Sequence, residues 1–216
     1  KSFFSNLNNP DFPYRPISCP TFALNYYFGG KDVFGYHLIN LVIHWLSSIF
    51  LFLFIYHTIN LPKLKQQYGA ISYGLALLAT VLWAINPVQV QAVTYIVQRM
   101  ASLAGLFFVM SLYFYTKARI SQSSKKSLVF FGFCFLAFLM AIGSKENTVL
   151  LPVIIFVYET LLLQQNSSQF IRKNRLLILI VVLFTIFLAI GYLSLRKGHI
   201  FYILDAYDNR PFTLGE

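Results

Sequence analysis

The sequence predicts an all-α membrane protein, built as a polytopic bundle of about six transmembrane helices. Hydrophobic residues make up 57% of the 216 residues and aromatic residues 18%, whereas only 11% are charged, against roughly 25% in an average soluble domain. The mean hydropathy is +0.64. Apolar runs close to the roughly 20 residues that cross a bilayer recur along the chain. Lipid requires backbone groups to be paired internally and no barrel-like alternating strands occur, so each run should be a helix.

The spans are preceded by a polar, turn-rich segment, residues 1–33, with prolines at 10, 13, 16 and 20. They are predicted at residues 34–58, 69–85, 101–118, 127–143, 148–163 and 175–195. We expect one transmembrane helical domain over 34–195, an external N-terminal segment over 1–33 and an external C-terminal segment over 196–216. The chain opens on a polar stretch without Met, and its last residues, RPFTLGE, form no closing element. We therefore expect a fragment of a longer protein.

The loops between the spans differ in charge, and this difference predicts the orientation. Basic residues without any acidic residue fill the loops at 60–68, 117–127 and 164–175, namely Lys63, Lys65, Lys117, Arg119, Lys125, Lys126, Arg172, Lys173 and Arg175. We call the end of the bundle that carries these loops the basic end. The positive-inside rule places the basic end on the cytoplasmic side of an inner or plasma membrane and the opposite end on the outer side. Topology and lipid headgroups thus explain the net charge of +10, and no dense basic arm for nucleic acid is present.

The stretch INPVQVQAVTYIVQRMASLAG, residues 85–105, is unusually polar for a connection between two spans. Its Asn-Pro step predicts a break, because the residue before proline is pushed out of the helical region. Apolar residues then recur at helical spacing, which predicts an interfacial amphipathic helix, with a solvated connecting helix as the equal alternative. Gln91, Gln98 and Arg99 fall on other faces of this helix. An arginine fork directly before a span can hold a lipid phosphate.

A second polar turn, GSKEN at residues 143–147, places a Lys-Glu pair between two spans. Ionisable groups at membrane depth are costly, and they are functional candidates by default. Glu146 could act as a general base or metal ligand and Lys145 could contact a phosphate, whereas the alternative is a solvated turn that caps the next helix. Arg15 lies in YRPIS, where the following proline restrains the backbone. It suits anion binding or an ordinary surface position.

Polar residues also form a stripe along the first span. Its members are His37, Asn40, His44 and Ser47 or Ser48. Their spacing puts them on one helix face, which must contact protein or water rather than lipid. Hydrogen bonds between helices are the commoner role of such a stripe, and a metal site is the alternative. The two cysteines lie in different settings and predict neither a disulfide nor a metal site.

Four blocks of residues, taken in order, resemble one known family. They are YRPISCPTFALNYYFGGKDVFGYHLINLVIHW from residue 14, NPVQVQAVTYIVQRMASLAGLFFVMSLYFYTKAR from residue 86, GSKENTVLLPVIIFVYE from residue 143 and RPFTLGE from residue 210. The set is similar to the membrane domain of the tetratricopeptide-repeat-containing O-mannosyltransferase-like proteins and their bacterial relatives. The resemblance implies a GT-C-like bundle of the glycosyltransferases that take a sugar from a polyprenyl-phosphate carrier and transfer it at the outer membrane face.

The resemblance also implies roles for individual residues. Arg15, Gln98, Arg99 and Lys145 would line the carrier-phosphate pocket, and Gln91 and Arg210 complete the predicted substrate contacts. Glu146 would shape the cavity and is our candidate catalytic residue.

Two departures from the family pattern affect the expected chemistry. Asn86 and Gln91 stand where many relatives have a histidine and a glutamate, which removes an acid or metal ligand. The family's external acidic pair has no counterpart, since only Asp11 precedes Arg15. The catalytic base would then lie outside this chain or be missing from the protein.

Two functions remain as expectations. The first is a glycosyltransferase-like membrane protein, with membrane lipids, a polyprenyl-phosphate sugar and a protein acceptor as partners, and with the need for a divalent metal ion left open. No residue is predicted as a metal ligand. The alternative is a noncatalytic GT-C-like subunit that binds lipid or braces a larger membrane complex. A transporter is not favoured, because no Gly/Pro-broken helix recurs as an inverted repeat.

Overall fold

The computed structural model describes residues 15–164, and four further positions, Arg172, Leu183, Ile186 and Phe187, which are helical. The helices are α1 (Ser18–Gly29), α2 (Val33–Ile59), α3 (Pro62–Tyr68), α4 (Ser72–Ala84), α5 (Val90–Thr94), α6 (Arg99–Ile120), α7 (Ser124–Ser144) and α8 (Leu151–Tyr158). A π-helical turn, Glu159–Leu163, continues α8. No strand occurs among these residues. The prediction of an all-α membrane bundle is confirmed.

Among the described residues, five helical stretches are long and apolar enough to cross a membrane. They are Val33–Ile59, Pro62–Ala84, Ile96–Ile120, Ser124–Ser144 and Glu146–Leu163. These stretches match the first five predicted spans, so the chain is a multi-pass membrane protein. The second begins earlier than predicted, because Pro62 occupies the first turn of α3, where proline is tolerated, and the 3-10 turn Gly69–Ile71 joins α3 to α4. The predicted span 175–195, apart from its three helical positions, and the segment 196–216 lie outside the described residues.

The centre of the bundle is the packing of α6 against α2 and α7. Ile43 of α2, Leu103 and Phe107 of α6 and Ala141 of α7 form one buried cluster. A second cluster, nearer the basic end, joins α6, α7 and α8 and consists of Leu112, Phe138 and Leu151. Helices α2 and α7 also carry many exposed apolar side chains, as expected for surfaces that face lipid.

Helix α4 packs on α2 through a stripe of small residues. Ser72, Ala76 and Thr80 recur every fourth position and are buried, at 5%, 0% and 6% exposure. Small side chains let two transmembrane helices approach closely, and close packing drives association where water is absent. Helix α4 therefore forms a second wall beside α2, at a distance set by these three residues.

Helix α1 was not predicted, because residues 1–33 looked turn-rich. Pro20 lies in the first turn of α1, where its missing N–H has no intrahelical partner to lose. The helix ends at Gly30, whose φ of 59° lies in the left-handed region that glycine adopts without strain. Asp32 then caps α2 by accepting a hydrogen bond from the backbone N–H of Phe34 at 3.0 Å.

The chain enters α1 by packing directly on the end of α7, and this contact gives a testable prediction. The backbone N–H of Ile17 donates to the carbonyl of Gly143 at 3.1 Å. A Cβ at position 143 would lie 2.7 Å from Cγ1 of Ile17 and 3.4 Å from Cγ of Pro16. Gly143→Ala should therefore lower the free energy of unfolding by about 1–3 kcal/mol through overpacking, measured by denaturant titration in detergent.

Gly132→Ala is the matched control, since a Cβ at Gly132 on α7 meets nothing within 4 Å. Alanine is the better helix former, so this control should be neutral or slightly stabilising. Equal effects of the two substitutions would show that Ile17 does not press on the end of α7.

The helix predicted in the connection at residues 85–105 is present but broken into short turns. The 3-10 turn Pro87–Gln89 leads into α5, and a second 3-10 turn, Ile96–Gln98, leads into α6. Tyr95 separates α5 from this second turn because its backbone is extended, with φ −93° and ψ 105°. Asn86 begins the segment by accepting a hydrogen bond from the N–H of Val88 at 3.0 Å. The segment can therefore fold over the end of α2 rather than continue straight into the next span.

Candidate functional site

A groove of about 430 Å³ opens where α2, α4, α5 and α6 meet. It is lined by His44, Ser47, Leu51, Trp83, Val88, Gln89, Gln91, Ala92, Gln98, Ala101, Ser102, Gly105, Phe108 and Val109. Its mouth lies at the end of the bundle opposite the basic end, because α2 and α6 begin there and α4 finishes there. Two of the predicted substrate contacts, Gln91 and Gln98, are part of this lining.

The groove runs along the helices rather than across them. On α6 the lining residues from Ala101 to Val109 follow Gln98 at helical spacing and share one face of the helix. From Gln98 to Val109 this face extends about 16 Å at 1.5 Å per residue. The groove therefore reaches about half of the roughly 30 Å hydrocarbon thickness of a bilayer.

The groove changes character with depth. Its mouth carries the amides of Gln89, Gln91 and Gln98, whereas Leu51, Phe108 and Val109 line the inner part with aliphatic and aromatic groups. Such a polar opening above an apolar floor fits an amphiphilic molecule lying parallel to the helices.

Gly105 of α6 keeps the inner part of the groove open. A Cβ built on this residue would meet no atom within 4 Å, although Gly105 is part of the groove lining. A larger side chain here would enter the empty volume instead of clashing with a neighbouring helix. Gly105 is therefore the position from which the groove can be filled by substitution.

One wall of the mouth is aromatic. The rings of His44 and Trp83 are stacked, with centroids 5.2 Å apart and an interplanar angle of 22°. Nε2 of His44 lies 3.1 Å from the carbonyl oxygen of Ala84, which can only accept, so Nε2 carries a proton. This hydrogen bond fixes the imidazole, and the imidazole in turn supports the indole plane.

Arg99 follows Gln98 directly but does not reach the groove. Arg99 is fully buried, with 0% of its surface exposed. Nε donates to Oδ1 of Asn40 at 2.7 Å, one terminal nitrogen donates to Oδ1 of Asn25 at 2.6 Å and to the carbonyl of Thr21 at 3.2 Å, and the other donates to the carbonyl of Tyr36 at 2.9 Å. Four of its five N–H groups thus bind neutral protein acceptors on α1 and α2. The role of Arg99 as a phosphate ligand stays a prediction, and this geometry does not favour it.

Arg15 and Glu146 meet on another side of α6. One terminal nitrogen of Arg15 donates to both carboxylate oxygens of Glu146, at 3.3 and 3.2 Å, and the other contacts the sulfur of Met100. The side chains of Arg15 and Glu146 are 15% and 25% exposed. Lys145 directly precedes Glu146 in the sequence and is half-buried. These three residues share the end of the bundle with the groove mouth but do not line the groove, and Arg210 lies outside the described residues.

The polar stripe of α2 makes hydrogen bonds to the connection between α4 and α6. Nδ1 of His37 lies 3.2 Å from the carbonyl oxygen of Val93, and the amide of Asn40 donates to the same oxygen at 3.3 Å. These bonds are of the kind predicted as the commoner role of the stripe, hydrogen bonding between neighbouring segments of the bundle. Within the part of the chain that the structure describes, no three His, Cys, Asp or Glu side chains come together as metal ligands.

Sequence reasoning missed several residues of the groove. They are Trp83, Gln89, Ser102 and Gly105. Trp83, Ser102 and Gly105 lie in apolar spans, and Gln89 is one of several polar residues in a polar connection, so none of them stands out in the sequence. A signal did exist on α6, where small residues at 101, 102 and 105 follow Gln98 on one helix face. Small residues on one face of a span indicate either a close helix contact or an open groove.

Comparison with known proteins shows that the chain is related to the TMTC protein O-mannosyl-transferases. It is 27% identical to human protein O-mannosyl-transferase TMTC3 over 169 residues, 74% of this chain and 17% of that protein. It is 37% identical to protein O-mannosyl-transferase tmtc2 of Xenopus laevis over 105 residues, which are 48% of this chain and 11% of that protein. It is also 26% identical to protein O-mannosyl-transferase F38B6.6 of Caenorhabditis elegans over 175 residues, which are 80% of this chain and 23% of that protein.

The chain thus spans less than a quarter of the length of each of these three relatives. No family model and no solved structure matches it.

Proposed function

We propose that this relative of the TMTC proteins takes part in glycosyl transfer, in which a mannose passes from a polyprenyl-phosphate carrier to a protein hydroxyl at the outer side of the membrane. The sugar and the acceptor class come from the name that the relatives share, protein O-mannosyl-transferase. The groove between α2, α4 and α6 is the single observation that supports a lipid-linked donor. It has a polar mouth and an apolar interior that runs with the helices.

A lipid-linked sugar suits this groove because its two halves differ in the same way. The isoprenoid chain can lie against Leu51, Phe108 and Val109, and its removal from the lipid phase then costs little. The headgroup can remain at the mouth, near the membrane surface. The three basic loops at the other end support an outward-facing mouth through the positive-inside rule.

The proposed reaction is a direct displacement at the anomeric carbon. The acceptor oxygen forms a bond to that carbon while the bond from the carbon to the phosphate oxygen breaks, and the phosphate leaves with the electron pair. A carboxylate takes the proton of the acceptor hydroxyl, and cationic groups stabilise the leaving phosphate.

We keep Glu146 as the candidate carboxylate and Lys145 and Arg15 as the candidate cations, since all three lie at the same end of the bundle as the groove mouth. The ion pair between Arg15 and Glu146 holds both groups in place. Gln91 and Gln98 are the candidate contacts to the donor.

Filling the groove tests this proposal. Gly105→Leu places an isobutyl group in the open volume and should reduce mannosyl transfer from polyprenyl-phosphate mannose by at least about tenfold, through a raised KM for the donor. The matched control is Gly132→Leu on α7, where a Cβ also meets no atom within 4 Å but the residue does not line this groove. The assay uses the protein in membranes with a radiolabelled donor and a peptide acceptor. Equal turnover of the two variants would contradict the proposed donor site.

The candidate charged residues need their own variants. Lys145→Ala and Glu146→Gln should each lower kcat by about tenfold or more, if they act on the leaving phosphate and on the acceptor proton. Unchanged kcat in both variants would remove these roles while leaving the donor groove intact.

A second function is favoured by one observation, the neutral lining of the groove. Among the described residues that line it, none is Lys, Arg, Asp or Glu. A noncatalytic subunit that binds a lipid-linked sugar without reacting would need no charged group there. Donor binding that Gly105→Leu removes, without any transfer by the unsubstituted protein, would support this alternative.

A further inference from the structure

Helix α1 turns its polar groups towards the protein and its apolar side chains away from it. The hydroxyl of Ser18 donates to the carbonyl of Ser144 at 3.1 Å. The carbonyl of Thr21 and the amide oxygen of Asn25 accept from Arg99. The exposed residues of α1 are Pro20, Ala23, Leu24, Tyr26, Tyr27, Phe28 and Gly29. A helix on a water-facing surface has the opposite arrangement, with its polar face outwards.

The exposed face of α1 is aromatic and carries no charge. Tyr27 and Phe28 are 81% and 82% exposed, and Leu24 is 58% exposed. No charged residue lies between Arg15 and Lys31. By contrast, the short helix α3 at the basic end exposes two lysines and two glutamines. Single exposed apolar residues are ordinary, but a contiguous apolar face marks a contact surface.

The contacts of α1 fix its depth relative to the membrane. Helices α6 and α7 have 22 and 21 residues, which gives lengths of about 33 and 32 Å at 1.5 Å per residue. These lengths are close to the roughly 30 Å hydrocarbon thickness of a bilayer. Arg99 at the start of α6 and Ser144 at the end of α7 therefore lie near the boundary between hydrocarbon and headgroups. Because α1 is bonded to both residues, it lies at the same depth.

The apolar surface of α1 continues along the chain into the first span. After the turn at Gly30, exposed apolar residues recur on α2 at a spacing that places them on one helix face. They are Phe34, Leu38, Leu41 and Trp45, which are 47–71% exposed. A span with such a face is in contact with lipid on that side. The exposed residues of α1 thus precede a lipid-facing surface directly, with only a short polar turn between them.

We propose that α1 lies in the membrane interface at the end of the bundle opposite the basic end, and that lipid covers its exposed face. Leu24, Tyr27 and Phe28 insert among the headgroups and the upper acyl chains, about 5–10 Å deep, as the apolar faces of interfacial helices do. Tyrosine suits this depth because its ring is apolar and its hydroxyl reaches water. The face has no charge, so it needs no anionic lipid.

This position makes α1 part of the membrane domain, although residues 1–33 were predicted to be an external segment. The bonds from Arg99 to Thr21 and Asn25 then hold together two helices at the lipid boundary rather than a loop in water. The proposal concerns a surface outside the groove and does not depend on glycosyl transfer.

Spin labels measure the depth of α1 directly. Leu24→Cys and Phe28→Cys are each made in a protein with Cys19→Ala and Cys134→Ala, labelled with a nitroxide and reconstituted in phosphatidylcholine vesicles. Power saturation gives the collision rates of the label with oxygen, which partitions into lipid, and with a nickel chelate, which stays in water. The ratio of the oxygen rate to the nickel rate should be at least about threefold higher at these two positions than at Lys31→Cys.

Two reference positions frame this measurement. Lys31→Cys is the matched control, because Lys31 is exposed three residues after Phe28 but belongs to the polar turn before α2. Leu136→Cys, in the middle of α7 and 52% exposed, is the lipid reference and should give a still higher ratio. A high ratio at this position also shows that the protein without its native cysteines is folded and inserted. All four labels are at exposed positions, so they displace no packed side chain.

Two results would overturn the proposal. Equal ratios at Leu24→Cys, Phe28→Cys and Lys31→Cys would place α1 in water. Slow collisions with both reagents at Leu24→Cys and Phe28→Cys would show that protein covers the face, from a second copy of the chain or from another segment of it. Either result would leave the groove and the proposed glycosyl transfer untouched, because mannosyl transfer is measured separately.

Discussion

Arg99→Ala should lower the free energy of unfolding by about 3 kcal/mol or more and release α1 from the bundle. The guanidinium holds α6 to α1 and α2 through its bonds to Thr21, Asn25, Tyr36 and Asn40. It also lies over the ring of Phe22 on α1, 4.7 Å from the centroid. Its loss leaves the amide oxygens of Asn25 and Asn40 without their arginine donor, and each unsatisfied buried group costs about 1–3 kcal/mol.

Two measurements check this expectation. Denaturant titration in detergent gives the change in stability, and maleimide labelling of Cys19 reports whether α1 has left its place. Cys19 is half-buried on α1, whereas Cys134, the other cysteine of the chain, is buried between helices. Labelling of Cys19 should become faster in Arg99→Ala. Lys126→Ala is the control, because this exposed lysine at the start of α7 loses a positive charge without losing these contacts.

Arg99→Lys separates charge from geometry. A lysine keeps the positive charge but cannot form the fork of bonds that guanidinium makes to several acceptors. It should therefore recover only a minor part of the stability. If Arg99→Ala instead keeps full stability and unchanged Cys19 labelling but loses affinity for a polyprenyl phosphate, then Arg99 is the phosphate ligand predicted from the sequence and the structural role is wrong.

The spans were predictable from the sequence because crossing a membrane is a property of composition. A run such as residues 34–58 is apolar apart from one polar stripe, and its length and composition fix the assignment. Helix α1 was not predictable in this way, since its 12 residues are too few to span and its proline suggested a turn. Its place depends on Gly143 and Arg99, which lie far along the chain.

The direction of individual polar side chains was not predictable either. Gln98, Arg99 and Met100 are consecutive, and successive residues at a helix start point about 100° apart. The structure sends Gln98 to the groove, Arg99 to α1 and α2, and Met100 to Arg15. Because the flanking helix is apolar on all sides, its hydrophobic pattern does not say which face turns inward. The sequence therefore identified the polar stretch but not the division of its residues among three environments.

The basic end contains an ion pair that sequence analysis did not single out. Glu159, in the π-helical turn after α8, has a side chain that is 7% exposed. Arg119 of α6 donates from Nε to one carboxylate oxygen at 3.0 Å and from a terminal nitrogen to the other at 2.6 Å. Tyr115 donates its hydroxyl to the first oxygen at 2.7 Å, and the amide of Gln164 donates to the second. A carboxylate at this depth is stable because four hydrogen bonds and a cation surround it.

A polar contact network next to this pair joins α2 to the same two helices. The hydroxyl of Tyr158 lies 2.8 Å from that of Thr58 on α2 and accepts from Thr116 on α6 at 3.0 Å. The ends of α2, α6 and α8 are therefore fixed to one another at the basic end. The groove opens at the other end of α2 and α6, so this network holds the bundle together beneath the groove.

Arg119→Gln should lower the free energy of unfolding by about 2–3 kcal/mol, because it leaves the buried carboxylate of Glu159 without its cation. Glu159→Gln should cost less, about 1–2 kcal/mol, since the Arg119 side chain is 38% exposed and water can solvate it. The double variant should be clearly more stable than the sum of the two single losses predicts, with a coupling energy of about 1–2 kcal/mol. Denaturant titration of the four proteins in one detergent measures this coupling.

Lys125→Gln controls for the loss of a positive charge at the basic end, since this lysine is exposed at the start of α7, and it should leave stability within about 0.5 kcal/mol. Losses that simply add in the double variant would mean that Arg119 and Glu159 do not stabilise the bundle as a pair. Because the pair lies at the far end from the groove, the KM of a folded Glu159→Gln protein for the lipid-linked donor should stay unchanged. A raised KM with little loss of stability would instead show that the two ends of the bundle are coupled.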